Sequence, residues 1–78
     1  MHARGMNTTQ RITKTAQTLG LTVRMEGTEL VARDGAGLTH MSATIIGGKF
    51  FGGYTVDFMG HVVSHDTVKG LCAALVAA

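Results

Sequence analysis

The sequence predicts an α+β fold, a two-layer sandwich in which an antiparallel four-stranded meander carries two helices on one face, in the order α-β-β-β-β-α. Apolar residues recur at helical spacing near both ends of the chain and alternate with polar ones through the middle, where short glycine-containing turns separate the runs. Turns of that length join antiparallel neighbours, because a parallel pair needs a long crossover. Two helices with one apolar stripe each then have a shared solution, which is to cover the same side of the sheet and leave the other side polar.

Asn7 is placed to cap the first helix, with Gln10 three residues on in a capping-box arrangement and Gly20 at the expected left-handed exit. Ile12, Ala16 and Leu19 form its apolar stripe. Five threonines make it a weak helix that depends on packing. Leu21, Val23 and Met25 alternate with Thr22, Arg24 and Glu26 in a first strand, and the turn Gly27-Thr28 leads to a second, where Leu30 and Ala32 continue the inward face. Asp34-Gly35-Ala36-Gly37 is the next turn, before a third strand with Met41, Ala43 and Ile45 inward. The alternation from Tyr54 to Val63 reads as one long fourth strand. Ser64 is then expected to cap the closing helix, which runs to Ala77 with Asp66 in its first turn and Val68, Leu71, Cys72, Leu75 and Val76 as its stripe.

The 78 residues make one domain, expected over 7–78, with residues 1–6 as a disordered tail and Met6 as a second candidate start. The formal charge of +2 comes from scattered cations with carboxylates among them, so no charge run marks a polyanion site. The single cysteine, Cys72, excludes an internal disulfide and is expected to act as a small core residue. No apolar run approaches the length of a membrane span, and the expected setting is soluble and cytoplasmic, without membrane contact.

Three places are candidates for function. Gly47-Gly48-Lys49-Phe50-Phe51-Gly52-Gly53 is read as a mobile loop that cannot bury both aromatics, so it either presents one to a partner, with Lys49 beside it, or folds back as a flap over the core. It lacks the Gly-Lys-Ser or Gly-Lys-Thr of a phosphate loop. If the third and fourth strands pair about that loop, His40 lies opposite His61 and Thr44 opposite Asp57. His40, His61 and Asp57 are therefore weak candidates for a metal, with solvent-exposed histidines as the plainer expectation. The flank Gly70, Ala73, Ala74 and Ala77 of the last helix is smooth enough either for a symmetric dimer or for the first helix.

These features predict a non-catalytic protein-binding, adaptor or inhibitor module that needs no cofactor, acts through Lys49, Phe50 and Phe51, and pairs with a second copy. No Ser-His-Asp grouping or other catalytic set can be placed. The alternative is nucleic-acid binding through Arg11, Lys14 and Lys69. The order helix, strands, helix resembles that of the double-stranded-RNA-binding domain, with Ser64, Lys69 and Cys72-Ala73 at comparable spacing in the last helix. That resemblance implies phosphate contacts across a groove, although His65-Asp66 stand where the family carries paired lysines and the sheet has one strand more.

Overall fold

The first helix, α1 (Thr8–Thr18), is closed at both ends by the expected devices. Asn7 Oδ1 accepts from Gln10 N–H at 2.8 Å and Gln10 Oε1 accepts from Asn7 N–H at 3.1 Å, a reciprocal capping box. At the other end Leu21 N–H donates to Ala16 O and Gly20 N–H to Gln17 O, which satisfies two otherwise orphaned carbonyls. Thr15 and Thr18 turn their hydroxyls back onto Arg11 O and Lys14 O, at 2.9 and 2.8 Å, so their tendency to compete with the helix is met inside it. The structure is a computed structural model and describes residues 7–77, so the expected tail at 1–6 lies outside the described residues.

Five strands follow, β1 (Thr22–Glu26), β2 (Glu29–Arg33), β3 (Thr39–Ile46), β4 (Lys49–Val56) and β5 (Val62–His65), and α2 (Val68–Ala77) closes the chain. They form one antiparallel meander in the order β1-β2-β3-β4-β5, one strand more than the sequence predicts. Ile12 and Ala16 of α1 and Leu71 and Leu75 of α2 share one buried cluster with Leu30, Ala32, Met41, Ala43 and Ile45 of the sheet. Both helices therefore roof the same face, as the apolar stripes require.

Two segments depart from expectation for the same reason, which is turn chemistry. The expected seven-residue loop is a two-residue hairpin. Gly47 and Gly48 take φ of +61° and +80°, the positive pair that matches the twist of flanking strands, and Lys49, Phe50 and Phe51 belong to β4. Conversely the expected strand Tyr54–Val63 breaks at Asp57-Phe58-Met59-Gly60, where Asp57 Oδ1 accepts from the N–H groups of Met59 and His61, both at 2.8 Å, and Gly60 has φ of +85°. Ser64 consequently sits in β5 opposite Tyr54 rather than capping α2. Thr67 takes that role, its Oγ1 accepting from Gly70 N–H at 3.0 Å, so Asp66 precedes the helix.

Register decides which aromatic is exposed. Ala43 pairs with Gly53 and Ile45 with Phe50, so β4 spends one residue more than β3 over this interval and Phe51-Gly52 form a bulge. Phe50 packs against the core, whereas Phe51 is 62% exposed. Gly53 faces the helices under close constraint, because a Cβ there would stand 2.5 Å from Ser42 O and 3.0 Å from Ala43 Cα.

Candidate functional site

The β2–β3 and β4–β5 connections lie at the same end of the meander and share one construction. In the first, Asp34 Oδ1 accepts from Ala36 N–H (2.9 Å) and Leu38 N–H (3.0 Å), and Asp34 N–H donates to Leu38 O at 3.0 Å. In the second, Asp57 Oδ1 holds Met59 and His61, and Asp57 N–H donates to His61 O at 2.9 Å. Each aspartate thus folds its own side chain into the turn, with a glycine three residues later. The outer carboxylate oxygen of each meets a histidine: Asp34 Oδ2 lies 2.8 Å from His40 Nε2, and Asp57 Oδ2 lies 3.3 Å from His61 Nδ1.

Between the turns opens a cleft of about 420 Å³ bordered by Asp34, Leu38, His40, Asp57, Phe58 and Gly60. His40 and Phe58 also border the adjoining hollow, which continues over Leu19, Leu21 and Leu75. The apolar side chains here are unusually bare: Phe58 is 89% exposed, Met59 67% and Leu38 66%. An aromatic ring on a turn pinned by four hydrogen bonds is presented at little entropic cost.

The charge at this end is set by the same contacts. Asp34 is held below the usual carboxylate range first by the hydrogen bond to His40 and then by the Leu38 and Ala36 amides, and Asp57 first by the His61 amide. With the folded pKa below the unfolded value of about 3.9, the folded chain binds fewer protons, so this stabilisation is complete above that value and disappears as pH falls through the lowered pKa. Acid unfolding followed by circular dichroism is expected to begin below about pH 4. Asp57→Asn is expected to flatten that dependence. An unchanged profile would contradict the assignment.

The other candidate residues are dispersed. Thr44 stands beside the Phe51-Gly52 bulge rather than opposite Asp57, and the Met41–Thr55 pair carries the register on toward Val56, so His40 does not stand opposite His61. His40 and His61 are divided between two aspartates, His65 Nε2 lies 2.9 Å from Thr55 Oγ1, and among the described residues no three His, Cys, Asp or Glu side chains converge on a common point. Lys49 is exposed at the start of β4 beside Phe50 and Phe51, at the opposite end of the sheet from the twin turns. Arg11 and Lys14 border a groove between the helices floored by Leu19, Cys72 and Val76, and Lys69 is exposed on α2. Gly70 and Ala74 are half-buried, and Ala73 and Ala77 are exposed.

On the outer sheet face, Glu29 accepts from Ser42 Oγ at 2.7 Å and from Thr44 Oγ1 at 2.8 Å, and Arg33 pairs with Glu26. Much of that face is therefore satisfied internally. Phe58 and Met59 are the residues that reading the sequence passes over. Their signal is present in Asp57-x-x-Gly60, which repeats the Asp34-x-x-Gly37 spacing of the turn before it.

No helix among the described residues is long and apolar enough to cross a membrane. No protein-family model matches the chain, and no curated protein or solved structure matches it either.

Proposed function

We propose that this chain is a small, non-catalytic protein-binding module that grips its partner with the twin-turn end of its sheet, Phe58 acting as the anchor. The observation that carries the reading is the 89% exposure of Phe58 on a turn whose backbone is fixed by Asp57. A bare, preorganised aromatic beside Met59 and Leu38 is the kind of group that fills a pocket on another protein. This moves the binding surface away from Lys49, Phe50 and Phe51, because Phe50 is committed to the core and only Phe51 of that trio presents a free ring.

Phe58→Ser with Met59→Ser is expected to leave the thermal midpoint within a few degrees of the parent, since exposed side chains contribute little to folding. The same change is expected to remove the partner recovered by affinity capture from the host cell. Phe51→Ser is expected to retain it. Loss of capture by Phe51→Ser alone would return the site to the other end of the sheet. Nucleic-acid binding draws support from Arg11, Lys14 and Lys69, since neither helix contains an acidic residue. Retention on duplex RNA that weakens steeply with added salt would favour that reading instead.

A further inference from the structure

We infer that β5 is a self-pairing edge, and that two copies of this chain join through it into a continuous ten-stranded sheet about a two-fold axis at Val63. The inference is independent of how Phe58 is used. The two open edges of the meander differ in how they are protected. β1 carries Arg24 and Glu26, charges of the kind that discourage strand addition. β5 reads Val-Val-Ser-His, with neither proline nor a lysine, arginine or carboxylate, and leaves Val62 63% and Val63 48% exposed.

The hydrogen-bond pattern fixes the register. Asp57 N–H donates to His61 O, so by alternation along an antiparallel ladder Thr55 with Val63 and Gly53 with His65 are the bonded pairs of β4 and β5. The N–H and C=O groups of Val62 and Ser64 consequently point outward. An antiparallel copy can bond only to those groups. A two-fold axis at Val63 brings Val62 onto Ser64 of the second copy and Ser64 onto its Val62, four backbone hydrogen bonds in all. Val63 then faces Val63 of the second copy in the closer, non-bonded pairing, on the helix side of the sheet.

The helix layer accommodates the same axis. α2 packs over β4 and β5, so the same axis sets the two copies of α2 side by side on the helix face of the joined sheet. The flank it turns toward the axis is the small one. Gly70 lies over β5, where an added Cβ would come 3.8 Å from His65 Nδ1, and Ala74 and Ala77 follow on that side at helical spacing. The joined helices and the facing valines would cover Val63.

The test uses the full chain in two measurements. In sedimentation equilibrium the parent is expected to have twice the 8.2 kDa monomer mass. Val63→Lys is expected to be monomeric with unchanged circular dichroism, and Thr22→Lys on the β1 edge is expected to remain dimeric. In amide exchange on the parent, the outward N–H groups of Val62 and Ser64 are expected to gain protection as concentration rises. A parent that stays monomeric at about 0.1 mM overturns the inference. So does a dimer that survives Val63→Lys, or one whose Val62 and Ser64 amides exchange independently of concentration.

Discussion

Gly53→Ala is expected to cost about 3 kcal/mol or more, out of a total stability of about 4–12 kcal/mol for a chain of this size. The position is opposite Ala43 in the central pair of strands, and the added methyl would meet Ser42 O at 2.5 Å and Ala43 Cα at 3.0 Å. Both obstacles are backbone atoms held by the ladder, so neither can rotate aside. Relief requires β3 and β4 to separate, which would break the sheet beneath α2. Urea unfolding is the measure: the midpoint should fall sharply while the slope stays constant. A loss below about 1 kcal/mol would mean that the two strands are not this close.

Leu71→Ala is expected to cost about 3 kcal/mol. Leu71 is fully buried and, with Leu75, forms the part of the core that α2 supplies. Truncating it leaves a cavity between the helix and the sheet, and a ten-residue helix has too few internal bonds to persist undocked. Amide exchange should therefore accelerate along Val68–Ala77 more than in β2 and β3. Val76→Ala is the control, being on the same helix but 59% exposed, and should change stability by no more than about 0.5 kcal/mol.

Much of this architecture was legible in the sequence. Ile12 and Ala16, Leu30 and Ala32, and Met41, Ala43 and Ile45 are buried as their periodicities require, because a helix or strand with one apolar face has one place to put it. The capping pair Asn7 and Gln10 was equally readable, since local hydrogen bonds depend on spacing alone. The errors fall where two local signals compete. From Tyr54 to Val63 the apolar alternation outweighed Asp57-x-x-Gly60, yet a carboxylate that captures two amides and a glycine at positive φ end a strand whatever surrounds them. At Gly47–Gly53 the reverse held. Four glycines suggested a loop, whereas Gly47 and Gly48 make a tight turn, and Gly53 exists for close approach within the ladder.

The barest aromatic ring, Phe58, and the exposed ring of Phe51 stand at opposite ends of the sheet. Phe51 owes its exposure to a bulge, which depends on pairing between strands and leaves no local mark beyond Gly52. Phe58 owes its exposure to a turn that does leave one. The histidines could not be placed from sequence at all, since a cross-strand register had to be assumed before His40 and His61 could be set together.

The proposed binding surface depends most on the chain reversing at Asp57 so that Phe58 stands clear of the protein. Nuclear Overhauser contacts in the isotope-labelled chain test this directly, because Val56 and Val62 form a non-bonded antiparallel pair whose α-protons should be in close contact, while the Phe58 ring should show no contacts to Leu71 or Met41. Sequential strand contacts running unbroken from Tyr54 to Val63, or contacts between the Phe58 ring and Leu71 or Met41, would contradict it.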